Sequence, residues 1–170
     1  MQVISNSAIS LDGRLNTREG RFTLLGSAAD HRRMSELRAW ADAVLVGGAT
    51  FRHWPHPALP DPPHRAALAG RPWNVVVSRR LDVAADAAWL REPAVRPLWL
   101  TRADAVRVLD GAEVEGYAGS APDLPVPWIL EQLRRRGVQR LLVEAGGDLL
   151  FQFLAANALD EMHVTLCPLV

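Results

Sequence analysis

Short apolar runs that alternate with stretches of helical periodicity restrict the fold of this chain more than any other feature. Four of these runs are three or four residues long and rich in Val and Leu, at 43–46, 75–77, 98–100 and 140–143. Such runs are typical of strands buried on both faces, as in a parallel sheet. The patterns at 3–11 and 162–169 predict two further strands, and Glu113–Tyr117 a weaker one.

Helical patterns fill most of the intervals between these strands. Ser27 is expected to cap a helix in which Met34, Leu37 and Trp40 recur at helical spacing. Residues 126–136 and 148–159 predict two more helices, and the proline-dense stretch 53–64 predicts a loop. This alternation predicts an α/β fold with a mostly parallel central sheet and helices on both faces. At 170 residues, we expect a single domain over 1–170.

Charge and composition exclude several function classes. The 19 basic and 19 acidic residues cancel, so no electrostatic field favours nucleic acid or a membrane surface. All the basic residues are arginine, and a chain without lysine can form neither a Schiff base nor a P-loop. No apolar run approaches the roughly 20 residues of a membrane span, and the N-terminus lacks a signal-peptide pattern. We expect a cytoplasmic protein.

Two glycine pairs follow predicted strands and are candidate cofactor-binding turns. Gly47-Gly48 ends the strand at 43–46, and Gly146-Gly147 follows the strand at 140–143. Glycine lets a ligand approach the backbone, and the free amides at the start of a helix attract phosphate. The two turns could hold a dinucleotide pyrophosphate, or they could be ordinary strand-to-helix turns. Neither is the strict G-x-G-x-x-G of a Rossmann fold.

Polar residues near the same turns are candidate ligands for a cofactor or a substrate. Ser78-Arg79-Arg80 ends the strand at 75–77 and could bind a phosphomonoester such as the 2′-phosphate of NADPH, or it could be a solvated basic turn. Glu144 is expected beside the crevice, where its carboxylate can accept hydrogen bonds from amino groups of a substrate. Asp12 could be an acid, a substrate ligand or only a turn-former.

Metal chemistry and serine hydrolysis are not supported by the sequence. His53, His56 and His64 lie in one proline-rich stretch, but their spacing matches no zinc pattern and no cysteine is near them. The sequence contains no G-x-S-x-G motif. We therefore expect no bound metal.

An ordered set of motifs resembles the reductase domain of the riboflavin-biosynthesis deaminase/reductase family. Each motif is weak alone, but their order and spacing match over nearly the whole chain. The motifs are Ser10-Leu11-Asp12-Gly13-Arg14, the stretch 38–50 that ends in Val46-Gly47-Gly48-Ala49-Thr50, Val75-Val76-Val77-Ser78-Arg79, Leu142-Val143-Glu144-Ala145-Gly146, and Leu159-Asp160-Glu161 running on to Pro168.

The resemblance implies a dihydrofolate-reductase-like sheet, usually in a homodimer, that binds NADPH and a small-molecule substrate. Family members transfer hydride to the ring-opened ribose of a ribosylaminopyrimidine phosphate. By this match Arg38 and Glu144 would face the substrate, and Asp12 is our candidate for the polar group near the reacting carbon. The residues expected at the cofactor are Ala8 and Leu15 beside the nicotinamide, and Gly47, Gly48, Thr50, Ser78, Arg79, Gly146, Gly147, Asp148 and Leu149 around the rest.

The chain departs from the family pattern on the substrate side. Phe22 stands where bifunctional members carry a serine, and the stretch 52–57 replaces a pair of aspartates before a proline. Arg65 is the candidate for the arginine that grips the substrate phosphate. The deaminase domain and its zinc motif are absent from this sequence. The family's C-terminal strands are expected to be missing as well, because the sequence stops at Val170.

Three functional hypotheses remain at this point. The first is an NADPH-dependent pyrimidine reductase of riboflavin biosynthesis, of the 5-amino-6-(5-phosphoribosylamino)uracil reductase type. The second is a reductase on the same fold that acts on another small substrate, such as a pterin. The third is a non-catalytic nucleotide-binding protein.

Overall fold

The computed structural model describes residues 1–16, 25–84 and 86–169. Their seven strands are β1 Gln2–Ser10, β2 Ala43–Gly47, β3 Trp73–Val77, β4 Arg96–Arg102, β5 Glu113–Tyr117, β6 Arg140–Val143 and β7 Glu161–Cys167. Their six α-helices are α1 Ala28–Trp40, α2 Gly48–His53, α3 Pro62–Arg65, α4 Ala88–Arg91, α5 Val126–Arg135 and α6 Gly147–Ala155. A single 3-10 turn among them covers Ala103–Ala105.

The strands form one sheet in the order β5-β4-β3-β2-β6-β1-β7. Every pairing between the described strands is parallel. All five residues of β3 are buried, as expected for a central strand covered on both faces. The predicted α/β fold with a parallel sheet is confirmed.

Helices cover both faces of the sheet, as predicted. Ile129 and Leu133 of α5 and Phe153 of α6 pack on one face, in a cluster with Val75 and Leu141. The opposite face carries two smaller clusters. Leu37 of α1 packs there against Ile4, Val44 and Leu142. Phe51 of α2 packs edge-on against Trp89 of α4 and Trp99 of β4, with ring centroids 5.2 and 5.3 Å away.

The helix boundaries follow local chemistry, with two departures from the sequence prediction. Ser27 caps α1, because its hydroxyl accepts a hydrogen bond from the Asp30 backbone N–H at 3.4 Å. α6 ends at Ala155 and not at 159, and Asn157 beyond it has a φ of +49°, outside the right-handed helical region. The stretch 53–64 was predicted as a loop, but α2 extends into it to His53 and α3 begins within it at Pro62.

Parallel strands bring their carboxyl ends to one edge of the sheet. Ser5 pairs with Val143, the last residue of β6, so β1 continues beyond β6 at that edge. The turns after β2, β3 and β6 meet beside this extension, which is the usual place for a ligand in a sheet of this kind. No helix within the described ranges is long and apolar enough to cross a membrane.

Candidate active site

A cavity of about 1410 Å³ opens at the carboxyl edge of the sheet. Most of the site residues predicted from the sequence line it, and Asp12 and Arg65 are exceptions. The predicted residues that line it are Ala8, Leu15, Arg38, Gly47, Gly48, Thr50, Ser78, Arg79, Glu144, Gly146, Gly147, Asp148 and Leu149. One cavity thus contains both glycine turns, the basic turn after β3 and the Arg38–Glu144 pair.

Three glycines of the two turns leave space for a ligand. Gly47 and Gly146 have φ values of −81° and −68°, which any residue can adopt, so backbone conformation does not require glycine there. Among the described residues, a Cβ atom at Gly47 would contact Leu149 Cδ2 at 3.7 Å, and one at Gly147 would contact Leu15 Cδ1 at 3.7 Å. The missing side chains therefore keep the cavity wall open, as close backbone approach by a ligand requires.

Gly48 has a different role, because it allows α2 to pack against the end of β3. A Cβ atom at Gly48 would lie 2.5 Å from Ser78 Oγ and 2.6 Å from Ser78 Cβ, closer than atoms can approach. The glycine therefore fixes the distance between α2 and the Ser78 turn, and with it the width of this part of the cavity.

The helices that follow the two glycine turns begin without side-chain caps. Gly47 is the N-cap of α2 and Gly146 the N-cap of α6, and neither has a side chain to accept a hydrogen bond from the first turn. The first N–H groups of a helix need such acceptors and carry the positive end of the helix dipole. The open glycine wall and the uncapped amides together fit a dinucleotide pyrophosphate.

The basic turn after β3 lies at the wall of the same cavity. Arg79 is 65% exposed, and its nearest acidic partner is Asp123, at 3.7 Å. The Arg80 backbone N–H donates to Ser78 Oγ at 3.3 Å, which orients the hydroxyl within the turn. An exposed guanidinium beside an oriented hydroxyl is a suitable partner for a phosphomonoester.

Arg38 and Glu144 form a mostly buried ion pair that is joined by two hydrogen bonds. Arg38 Nε donates to Glu144 Oε1 at 2.8 Å and Nη2 to Oε2 at 2.7 Å, the two-pronged geometry that favours arginine over lysine. Burial alone would lower the pKa of Arg38, but the charges of Glu144 and Asp61 outweigh it and raise that pKa. The prediction that both residues face the substrate is compatible with this pairing, because each carboxylate oxygen keeps a second lone pair.

Asp12 lies on an exposed turn and does not line the cavity. It accepts hydrogen bonds from Ser10 Oγ and from Arg14 Nε, the latter at 2.6 Å. These two hydrogen bonds hold the pKa of Asp12 below its ordinary value. This position favours the turn-forming interpretation, and the role of Asp12 near the reacting carbon stays a prediction.

Several cavity residues were not predicted from the sequence to bind the cofactor or the substrate. Asp30 and His31 of α1 and Trp54 and His56 of the loop after α2 line the cavity with Asn6 of β1. Asp30 accepts a hydrogen bond from Thr165 of β7. None of the five stands in a turn that directly follows a buried strand, which was the signal used to find the other residues.

Three sequence-based candidates remain. Phe22 falls outside the described residues. Arg65, the candidate phosphate grip, donates to Pro60 O at 3.3 Å and does not line the cavity. His64 Nδ1 is 2.8 Å from Ser35 Oγ and ties α3 to α1. In the described part of the chain, no group of three or more His, Cys, Asp or Glu side chains could hold a metal ion.

Sequence comparison places the chain among reductases. The family described as the RibD C-terminal domain matches residues 1–170. A 2,5-diamino-6-ribosylamino-4(3H)-pyrimidinone 5′-phosphate reductase from Methanothermobacter thermautotrophicus is 32% identical, over 99% of this chain and 78% of the relative. The protein of that name from Archaeoglobus fulgidus is 30% identical, over 98% of this chain and 80% of the relative.

Solved structures agree on the fold. Acinetobacter baumannii RibD, form 2, superposes with a TM-score of 0.79 at 26% identity, covering 99% of this chain and 46% of that one. A pyrimidine reductase-like protein from Corynebacterium diphtheriae superposes with a TM-score of 0.81 at 21% identity, over 99% of this chain and 75% of that one. The chain therefore belongs to the RibD C-terminal domain family.

Proposed function

We propose that this protein is an NADPH-dependent reductase of riboflavin biosynthesis that transfers hydride to the ribose C1′ of a ribosylaminopyrimidine 5′-phosphate. The observation that carries the proposal is the single cavity that joins the two open glycine turns to the Arg38–Glu144 pair. The names of the two archaeal relatives, which match 99% and 98% of this chain over 78% and 80% of their own length, supply the substrate class.

The cofactor side would be formed by the turns after β2, β3 and β6. The uncapped N-termini of α2 and α6 would accept the pyrophosphate, and Ser78 and Arg79 the 2′-phosphate. NADPH, when bound, supplies the hydride. Ala8 and Leu15 would flank its nicotinamide ring and exclude water from that part of the cavity.

The substrate side would be formed by α1, the end of β6 and the loop after α2. The Glu144 carboxylate would accept hydrogen bonds from the amino groups of the pyrimidine, while Arg38 holds both carboxylate oxygens in place. The Arg38 guanidinium lies 2.7 Å from Glu144 Oε2, so each charge has a partner in this mostly buried position. The chain would thus orient the pyrimidine while its ribose reaches the nicotinamide.

Assays with two pyrimidine substrates can identify which form this protein reduces. The archaeal relatives are named for the 2,5-diaminopyrimidinone, whereas the type predicted from the sequence acts on the deaminated uracil form. The purified protein should be assayed with both, with NADPH or NADH as reductant, by the loss of absorbance of the reduced nicotinamide. Turnover of either pyrimidine supports the proposal and identifies the form, whereas no turnover of either contradicts it.

A second candidate function, reduction of a pterin, is favoured by the end of α2 and the loop that follows it. Arg52, His53, Trp54 and His56 line the cavity where the family pattern has a pair of aspartates before a proline. A pterin that is reduced faster than both pyrimidines would support this alternative. Binding of NADPH without turnover of any of these compounds would support a non-catalytic nucleotide-binding protein.

We also propose that the protein works as a cytoplasmic homodimer.

A further inference from the structure

Arg52 brings a further guanidinium to the wall of the cavity, from a different element than the basic turn. Arg79 and Arg80 follow β3 within three residues, whereas Arg52 lies on α2. All three arginines line the cavity. Because α2 begins at a glycine turn and β3 pairs with the strand before that turn, α2 and the basic turn meet at the carboxyl edge of the sheet.

Arg52 lies close to the Ser78 hydroxyl, and the two groups meet at Gly48. Arg52 is four positions after Gly48, so both residues lie on one face of α2. A Cβ atom built at Gly48 would be 3.3 Å from Arg52 Nη1 and 2.5 Å from Ser78 Oγ. The guanidinium from α2 and the hydroxyl after β3 therefore border the same point of the cavity wall.

An ion pair with Asp82 orients the Arg52 guanidinium. Arg52 Nη1 donates to Asp82 Oδ2 at 3.1 Å. The segment that carries Asp82 is anchored to the sheet, because the Arg80 carbonyl accepts from Nε1 of buried Trp99 at 3.0 Å. A guanidinium has five N–H donors, so the donors that the ion pair does not use can bind a ligand. The half-exposed Arg52 side chain therefore lies beside Ser78 with donors left for a phosphate.

A second guanidinium matches the charge of a phosphomonoester. Such a phosphate carries about −1.5 to −2 charges near pH 7, so a single arginine leaves part of that charge without a partner. Arg52 pairs with Asp82 and Arg79 with Asp123, while Arg80 adds a third cation to the same wall. Three guanidiniums beside two carboxylates leave an excess of positive charge, which attracts an anion to this part of the cavity.

We propose that Arg52 and Arg79 together bind the 2′-phosphate of NADPH beside the Ser78 hydroxyl, so that Arg52 is a second determinant of cofactor specificity. The chemistry recognised is a terminal phosphomonoester, which the 5′-phosphate of the substrate also carries. In the proposed function the ribose C1′ reaches the nicotinamide beside Ala8 of β1, and β6 and β2 separate β1 from β3. We therefore assign the phosphate to the cofactor. This inference rests on the proposed function and adds a cofactor-binding residue from α2.

The test compares the variants Arg52→Ala and Arg52→Lys with the wild-type protein. The matched control is Arg33→Ala, because the two side chains are 49% and 50% exposed and the Nη1 atoms lie 3.2 and 3.1 Å from a carboxylate oxygen. Arg33 does not line the cavity. Calorimetry measures the Kd of NADPH, of NADH and of 2,5-diamino-6-ribosylamino-4(3H)-pyrimidinone 5′-phosphate, each titrated alone.

Arg52→Ala should raise the NADPH Kd by about fivefold or more, because a charge-assisted hydrogen bond to the 2′-phosphate is lost. The Kd values of NADH, which lacks that phosphate, and of the pyrimidine should stay within about twofold. Arg52→Lys keeps the charge and should lose less NADPH affinity than Arg52→Ala. In the double variant Arg52→Ala/Arg79→Ala the preference for NADPH over NADH should fall below about threefold. Arg33→Ala should leave all three affinities unchanged.

Several outcomes would overturn the inference, and each has a distinct meaning. An unchanged NADPH Kd in Arg52→Ala would show that Arg52 does not bind the 2′-phosphate. Equal losses for NADPH and NADH would assign Arg52 to the part that the two cofactors share, whereas weaker binding of the pyrimidine alone would assign it to the 5′-phosphate of the substrate.

The wild-type protein separates failure of the inference from failure of the proposed function. If it binds NADH as tightly as NADPH, the inference is wrong and a reductase that uses either cofactor remains. If it binds neither, the proposed function is wrong and the inference with it. Equal thermal unfolding of Arg52→Ala and the wild type excludes misfolding as the cause of a loss. If Arg52→Ala is less stable, Arg52→Lys measures the same contrast between NADPH and NADH.

Discussion

Arg79 is the residue whose charge should decide between the two nicotinamide cofactors. It is exposed at the cavity wall, and its contact with Asp123 is loose, so little stands between its guanidinium and an incoming phosphate. Arg79→Ala should therefore weaken NADPH binding by about tenfold or more, because a charge-assisted hydrogen bond to the 2′-phosphate is lost. NADH lacks that phosphate and should bind as before. Quenching of tryptophan fluorescence measures both affinities.

The control for this variant is Arg135→Ala, which removes an equally exposed arginine whose partner is Glu131 on α5. It should leave both affinities unchanged. Equal losses of NADPH and NADH binding in Arg79→Ala would contradict a role at the 2′-phosphate. Ser78-Arg79-Arg80 would then be interpreted as a solvated basic turn.

The residues that the sequence identified share one local property. Gly47, Ser78, Glu144 and Gly146 lie at the end of a buried strand or within three residues of it, so the apolar pattern that predicts each strand also locates them. The pairing of Arg38 with Glu144 was not predictable in this way, because the two residues are 106 positions apart and only the packing of α1 beside β6 brings them together. Asp12 is the opposite case. It also follows a strand, but it lies on a turn outside the cavity.

At the scale of elements, the junction of α2 with β3 depends on Gly48. Gly48→Ala would place a methyl group 2.5 Å from Ser78 Oγ, so α2 or the turn after β3 has to move. Overpacking of this kind costs about 1–3 kcal/mol. We expect a lower Tm and weaker NADPH binding, measured by thermal unfolding and by fluorescence titration.

Gly70→Ala is the matched control for this substitution. A Cβ atom at Gly70 would meet no atom of the described residues within 4 Å, and Gly70 is exposed between α3 and β3. This variant should unfold within about 0.5 kcal/mol of the wild type. If Gly48→Ala were equally harmless, the close approach of α2 to Ser78 would not constrain the cavity.

Asp42 joins the start of β6 to β2 through a hydrogen-bonded carboxylate. Its Oδ2 accepts from the backbone N–H groups of Gln139 and Arg140 at 3.0 and 2.9 Å, and Oδ1 accepts from the Arg140 guanidinium at 2.6 Å. Burial alone would raise the pKa of Asp42, but these hydrogen bonds outweigh it and lower that pKa below the ordinary 3.8. The ionised form is thus favoured by folding.

Asp42→Asn should lower the free energy of unfolding at pH 7 by about 1–2 kcal/mol, because the side chain is partly exposed and solvent screens the charge. The stabilisation from a lowered pKa is complete above the unfolded value and is lost as the pH falls through the folded one. The gap between wild type and variant should therefore narrow below about pH 4. Urea unfolding at several pH values measures this difference in the free energy of unfolding. Asp104→Asn, at an exposed ion pair, should show little effect, and a pH-independent gap for Asp42→Asn would contradict the explanation.

The path of the chain across the sheet was predictable in part. Continuous apolar runs predicted the strands and their parallel arrangement, because a strand covered on both faces needs apolar residues at successive positions. The loop between α2 and β3 was not predictable beyond its prolines. Its course depends on the buried amide of Asn74, which binds Ala58 across 16 positions, and on Ser35 of α1, which accepts the Asp61 N–H at 2.7 Å. No sequence pattern at either residue predicts its hydrogen-bond partner.

At the scale of the whole molecule, β7 is the feature that favours a dimer. It pairs only with β1 within the described part of the chain. Met162, Val164 and Leu166 alternate along it on the face that α5 and α6 cover elsewhere, and they are 42, 47 and 65% exposed. An apolar strand at a sheet edge invites association with another chain.

We expect Leu166→Glu to shift the protein from dimer to monomer, because a charge at the most exposed residue of this strip cannot be buried without a partner. Light scattering coupled to size-exclusion chromatography measures the mass directly. Val108→Glu is the control, since Val108 is 91% exposed and lies far along the chain from β7. A wild-type mass of one chain at micromolar concentration would refute the dimer. An unchanged dimer in Leu166→Glu would place the interface away from β7.

The cavity is formed within one chain, so the monomeric variant should still bind the cofactor. Loss of cofactor binding would instead mean that association holds the turns at the carboxyl edge of the sheet in place.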